Sequence, residues 1–249
     1  MSKLFANLNN NGLEESQDRA GGGGFKAVES DIYTGKIKAA YAGQSSGGAH
    51  NVSLIVLLPG GVEYKETVYI TNKKGENFFL NKDDKTKKVP LPGFTIIDDI
   101  CLMVTNKPLA EQDTEEKVIN VYDFDAKKEQ PKAVDMLTDL IGGEISLGIL
   151  RELQNKNEKQ GDEYVPTAEV VERNVINKVF HTETKLTVVE ARAGADEAKF
   201  WDKWLEINKG KDRDVRKIKD GQAGKVGTPP KAGAAASAPT ERKSLFSKK

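Results

Sequence analysis

Thiol and imidazole are nearly absent from this chain. Its 249 residues include one cysteine and two histidines. One cysteine excludes an internal disulfide and fits a reducing compartment. Cys101 lies in the apolar run Ile100-Cys101-Leu102-Met103-Val104, where a buried, inert thiol is expected. Neither His50 nor His181 has cysteine or carboxylate neighbours at metal-ligand spacing, which argues against zinc or iron. No cofactor is expected. Long hydrophobic runs are missing too: no stretch of about eighteen apolar residues exists, and the first residues lack a signal-peptide core. The expectation is a soluble, intracellular protein with no membrane partner. Gly21-Gly22-Gly23-Gly24 has no Gly-Lys-Ser/Thr after it, so it is not a phosphate-binding loop of the Walker type.

Net charge is also lacking, with 38 basic and 38 acidic residues. The balance hides an asymmetry. From Lys209 to the end there are 12 bases and 4 acids, net +8, so the preceding part is net −8. Acids concentrate between Asp98 and Glu144, and that region cannot be the footprint of a polyanion. A nucleic acid would have to use the lysine-rich loop near Lys73, the neighbouring strands or the tail.

Residues 1–24 hold Leu4, Phe5, Leu8 and Leu13 among polar residues and end in the four glycines. They read as a flexible arm. Ile32 to Tyr41, Val52 to Leu58 and Glu63 to Thr71 alternate as strands separated by turn residues, which predicts a three-stranded antiparallel meander. Phe94, Ile97, Cys101 and Val104 recur at helical spacing. Residues 107–143 read as an acidic insertion, with a strand over Val118 to Phe124 and a short helix over Pro131 to Ile141 ended by Gly142-Gly143. Ile145 to Arg151 starts another strand, Gln154 to Asp162 is a polar hairpin tip, and Tyr164 to Phe180 closes the set. Thr187 to Glu190 has the capping-box pattern. A helix over Ala195 to Asn208 groups Phe200, Trp201, Trp204 and Leu205 on one stripe, with the tryptophans expected to pack on the barrel. Order is expected to end at Gly210, and residues 209–249 read as a disordered, basic, Gly/Ala/Pro-rich tail broken by Leu245-Phe246.

Three strands, a helix and two more strands is the order of an OB barrel. The fold class is therefore mainly β with helical additions: an OB-like five-stranded barrel over residues 25–208, with an α/β insertion and a C-terminal helix.

Tyr69 to Phe94 is the most distinctive stretch. It leaves a strand through Lys73-Lys74-Gly75, reaches the adjacent aromatics Phe78 and Phe79, and stops at Pro90-Leu91-Pro92-Gly93. Six lysines and three acids lie between Lys73 and Lys88. Rings beside ammonium groups suit single-stranded nucleic acid, since rings stack on unpaired bases and lysines follow phosphates. The bland alternative is a basic hairpin whose phenylalanines face the core.

These segments carry a resemblance. MSKLFANL, GGGG, TNKKGENFFLNKDDKTKKVPLPGF, TEEKVINVYDF, EYVPTAE, VFHTETKLTVVEARAG and RKSLF resemble the phage-encoded single-stranded DNA-binding proteins of tailed bacteriophages, over nearly the whole length. The resemblance implies an OB-type core and a non-enzymatic protein that coats single-stranded DNA in the host cytoplasm during replication, recombination and repair. The candidate stacking residues are Tyr33, Tyr41, Tyr64, Tyr69, Phe78 and Phe79. The candidate phosphate contacts are Lys36, Lys38, Lys73, Lys74, Lys82, Lys85, Lys87, Lys88 and Arg151. Alternation puts Tyr33 and Tyr69 on one face of their strands. Better-known proteins of this class carry an acidic tail that recruits replication enzymes; here the tail is basic. It either adds phosphate contacts or offers Leu245 and Phe246 to a replication or recombination partner. Two rival readings stand beside this one. The first is a metal-dependent nuclease using Asp98, Asp99, Asp113, Glu115, Glu116, Asp123 and Asp125, set against a merely solvated acidic face. The second is an OB adaptor without DNA affinity.

Overall fold

A computed structural model describes residues 27–123, 126–160 and 163–218. The first 26 residues, with the expected arm, and residues 219–249, with Leu245 and Phe246, lie outside the described part.

The molecule is mainly β. Strands β1 (Asp31–Gln44), β2 (His50–Leu57) and β3 (Glu63–Tyr69) form the expected antiparallel meander. A small hairpin follows, β4 (Phe78–Leu80) with β5 (Lys88–Pro90), and then helix α1 (Pro92–Thr105). Next come a ribbon of β6 (Glu115–Asp123) and β7 (Lys128–Met136), and the long pair β8 (Glu144–Gln160) and β9 (Glu163–Phe180). Helices α2 (Val188–Arg192) and α3 (Lys199–Asn208) lead to a short strand, β10 (Asp212–Asp214).

In the large sheet β8 lies beside the first half of β1, and β2 beside the second half. Strand β9 pairs with the other edge of β8. The sheet does not close by a backbone ladder between β3 and β9. One side chain spans the gap: the Glu66 carboxylate accepts the Ile176 N–H at 2.9 Å. The main core gathers Val52, Leu54 and Val56 of β2, Ile97 and Ile100 of α1, and Ile145, Leu147 and Ile149 of β8. Cys101 is wholly buried there, and burial pushes its thiol up to about 12.

A β-bulge sits in β1 between Ile37 and Ala39. A bulge adds one residue and reverses the alternation beyond it. Before it Tyr33 and Ile37 face the main core; after it Ala40 does so, while Ala39 and Tyr41 face outward. That outward side is partly covered by the β6–β7 ribbon, whose Ile119, Val121, Val134 and Met136 pack on Ala39, Tyr41 and Ile55.

Several elements differ from expectation. The segment from Pro131 is a strand as far as Met136, with only a 3-10 turn at Thr138–Leu140. Its period is two: Val134 and Met136 are buried, Ala133 and Asp135 exposed. The polar stretch after Gln154 is no hairpin tip, because β8 runs on to Gln160 against β9. A two-stranded ribbon wet on both sides needs no apolar alternation, so its sequence looks like loop. Helix α3 begins at Lys199, not Ala195. The capping box holds: the Thr187 hydroxyl accepts the Glu190 N–H at 3.2 Å, and the Glu190 carboxylate accepts the Thr187 N–H at 3.0 Å. Trp204 is buried on β8 as expected, and a Cβ at Gly148 would come within 3.0 Å of its indole.

Pairing also continues past Gly210. Strand β10 runs parallel to β8 at Arg151 to Leu153. The buried Asn155 accepts the Lys217 and Ile218 N–H groups at 2.7 and 2.9 Å and donates to the Ile218 carbonyl at 3.0 Å. Such bonds give a backbone without an apolar stripe a fixed place.

Candidate nucleic-acid interface

The outward face of β1–β2–β3 is built in rows by the strand register. Gly43, Asn51 and Tyr69 form one row, Tyr41, Ser53 and Thr67 the next, and Ala39, Ile55 and Lys65 a third. The ribbon covers the Ala39–Ile55 end, and Tyr69 at the other end is 51% exposed. Between them the Ser53 and Thr67 hydroxyls lie 3.0 Å apart. The open part of this face therefore has an aromatic ring at its rim and hydroxyls behind it.

The lysine-rich excursion starts and ends at that rim. It leaves β3 after Tyr69 and returns at Gly93, where an added Cβ would lie 2.1 Å from the Tyr69 carbonyl oxygen. Only glycine permits this approach. The excursion is stiffened from within. Asn72 Oδ1 accepts the Lys74 and Glu76 N–H groups at 2.8 and 3.0 Å. At the tip, Asn81 Oδ1 accepts from Asp83 at 2.8 Å, and Asp84 accepts the Thr86 hydroxyl at 2.6 Å. The Thr86 bonds, with Lys87 beside them, hold the Asp84 carboxyl below its ordinary range. Asx turns of this kind order a polar loop that has no core of its own.

Register puts Phe78, Leu80, Lys88 and Pro90 on one side of the β4–β5 hairpin, and Phe79 with Val89 on the other. Lys88 Nζ lies 4.2 Å from the centre of the Phe78 ring, a cation–π contact that half-buries Phe78. Phe79 is 38% exposed. Lys73, Lys74, Lys82, Lys85, Lys87 and Lys88 are all exposed. Only Lys87 of these has a carboxylate in ion-pair range among the described residues, Asp84 at 3.2 Å. Cations without intramolecular partners are available to phosphates.

Other candidates are taken out of this set by the structure. Tyr64 is 5% exposed in the main core, and its hydroxyl donates to Glu66. It presents no ring face to a base. Tyr33, turned inward by the bulge, packs on the same core and donates to the Glu29 carbonyl at 2.9 Å; burial and the nearby Asp31 and Glu29 raise its hydroxyl pKa. Tyr33 and Tyr69 thus lie on opposite faces. Tyr41 faces the right way but is half-covered by the ribbon. Lys38 is bonded to Glu63, whose carboxyl it pulls down together with Lys65. Arg151 is held by Asp212 of β10, remote in sequence. Lys36 is exposed and pairs in register with Leu57 and Glu144.

Two groups escaped sequence reasoning. Lys65 and Thr67 flank the open face, and their signal was the β3 alternation already used for Tyr69. Tyr164 is 70% exposed on the β8–β9 ribbon opposite Lys159; a tyrosine inside a charged run was the available clue. No described helix is long and apolar enough to cross a membrane. Compared with models of known protein families and with curated proteins, the chain matches none.

Proposed function

We propose that the chain binds single-stranded DNA without sequence preference, as the resemblance to phage single-stranded DNA-binding proteins implies, and serves replication, recombination and repair in the host cytoplasm. The observation that carries this reading is the exposed Tyr69 ring at the foot of a lysine-covered hairpin that also exposes Phe79. Bases stack on Tyr69 and Phe79, and Lys73, Lys74, Lys82 and Lys85 follow the phosphates. Ser53 and Thr67 offer hydroxyls to the backbone between them. No residue needs to make or break a covalent bond, so the activity is binding alone.

The finer reading of the fold belongs with this proposal. The pairing of β1 with β2 and β8, of β2 with β3, and of β8 with β9 follows the strand neighbours of an OB barrel. In it Glu66 bridges the seam that a β3–β9 ladder would close. A gel-shift competition tests the functional reading. Oligo(dT) should displace a labelled single strand, and duplex of equal length should not. Equal competition by duplex would overturn it.

A further inference from the structure

The β6–β7 ribbon sorts its charges between two sides. It leaves the edge of β1, where Met136 pairs with Tyr41 and the Leu137 N–H donates to the Ala40 carbonyl at 2.8 Å. Ile119, Val121, Val134 and Met136 then pack on the outward face of the sheet. Residues directly paired in an antiparallel ladder share one side, so the register fixes what accompanies them. Lys117 pairs with Val134 and Lys132 with Ile119, which puts both lysines on the side that meets the sheet. Gln130, paired with Val121, is there as well. Glu116 with Asp135, and Glu129, fall on the opposite side. Other acids of this part of the chain are occupied elsewhere. Asp98 accepts the Leu109 N–H at 3.0 Å, Asp99 is buried 3.6 Å from Lys178, and Asp139 lies 3.8 Å from Lys107. A count of charge along the sequence cannot see this sorting, because neighbours in a strand point opposite ways.

Both lysines are exposed. Lys132 has no carboxylate in ion-pair range among the described residues. Lys117 engages Glu115 at 3.2 Å, an exposed pair of the weak kind that a phosphate can replace. At about 3.3 Å per residue, the Lys117 row stands about 7 Å and the Lys132 row about 13 Å from the Met136 bridge. The ribbon is thus a wall on the β1 side of the open face. The row of Tyr41, Ser53 and Thr67 is the floor beside it, and the lysine-rich hairpin stands beyond Tyr69 of β3.

We propose that the β6–β7 ribbon is the second wall of the DNA groove. A single strand stacked on Tyr69 and Phe79 continues along the Ser53–Thr67 row to the ribbon, where Lys117 and Lys132 hold phosphates and Gln130 offers its amide. This rests on the reading of the Tyr69 face as a site for single-stranded DNA, and it carries the footprint across the sheet. A cover that only kept water from Ala39 and Ile55 needs nothing beyond its apolar residues. Lysines on the inner side and carboxylates on the back add a field that draws a polyanion beneath the ribbon and keeps it off the outer side.

Lysine acetylation of the full chain, read by mass spectrometry with and without oligo(dT), tests this without altering the protein. DNA should slow acetylation of Lys117 and Lys132 several-fold, together with Lys82 and Lys85 of the hairpin, and leave the exposed Lys199 and Lys203 of α3 unchanged. A pair of variants tests it from the binding side. Lys117→Ala with Lys132→Ala should flatten the salt slope by about 1.4, two contacts at roughly 0.7 each. Lys199→Ala with Lys203→Ala, an equal loss of charge, should keep the wild-type slope. Protection of Lys82 and Lys85 without Lys117 and Lys132, or a ribbon variant with the wild-type slope, would overturn the second wall and leave the Tyr69 reading standing. Absence of protection at every one of these lysines would overturn both.

Discussion

Four tyrosines show how far a residue's role depends on which way it points. Tyr33, Tyr41, Tyr64 and Tyr69 have the same chemistry, but only Tyr69 presents a largely open ring. Tyr69→Ala should weaken oligo(dT) binding by about 1–3 kcal/mol, the value of one stacked base, and leave the melting temperature nearly unchanged. Tyr64→Ala should do the reverse, costing about 3–5 kcal/mol of stability with affinity intact wherever the variant is folded. Phe79→Ala and Phe78→Ala should divide likewise, the first losing affinity and the second hairpin stability, because Lys88 covers Phe78. Affinity and thermal melting measured on all four variants check this. Glu66 gives a pH test. Burial raises its pKa, the Tyr64 hydroxyl and the Ile176 N–H pull it back, and the charge of Glu152 adds to the rise. A carboxyl raised in the folded state contributes stability that is full below its ordinary value of about 4.3 and is lost as pH climbs through the raised value. The stability difference between wild type and Glu66→Gln, from urea unfolding at a series of pH values, should therefore move against wild type as pH rises through that window. A pH-independent difference would contradict it.

At the scale of elements, alternation was legible wherever one side is buried. Strands β1 to β3, helix α1 and the capping box of α2 could all be read from apolar period or cap chemistry. The bulge could not, because Lys36, Ile37, Lys38, Ala39 and Ala40 spell no turn signal; a phase change inside a strand is visible only from its partners. This is why alternation set Tyr33 and Tyr69 on one face and misplaced Tyr33. Strand β7 was misread for a related reason: Pro131 looked like the first turn of a helix, and only the tertiary cover on Ala39 and Ile55 rewards its period of two. The β8–β9 ribbon and β10 have almost no apolar code, being held by backbone pairing and by Asn155. The lysine loop itself was legible as a candidate site, whereas the ion pairs that occupy Lys38 and Arg151 join residues far apart in sequence. Deleting Lys38 should remove the bulge and turn either the Tyr33 half or the Tyr41 half of β1 to the wrong side. Circular dichroism should show that variant unfolded, while Lys38→Ala stays folded.

For the whole molecule, a truncation after Gly210 would remove β10 and the Asn155 contacts, and one made after Ile218 keeps both. The residues removed carry seven bases and two acids, net +5. Each phosphate contact adds roughly 0.7 to the salt slope on a single strand. On the proposed interface, which uses none of these residues, truncation after Ile218 should leave that slope almost unchanged. The hairpin and the Tyr69 face should carry it instead. The measurement that bears most directly on the central claim is a fluorescence titration of the full chain with oligo(dT) at several salt concentrations, repeated on Tyr69→Ala and on Lys82→Ala with Lys85→Ala. Wild type should bind with log affinity falling linearly with log salt. The tyrosine variant should bind more weakly at the same slope, and the lysine variant should show a slope shallower by about 1.4, from two lost contacts. Wild-type affinity that neither variant alters would contradict the assignment of this face.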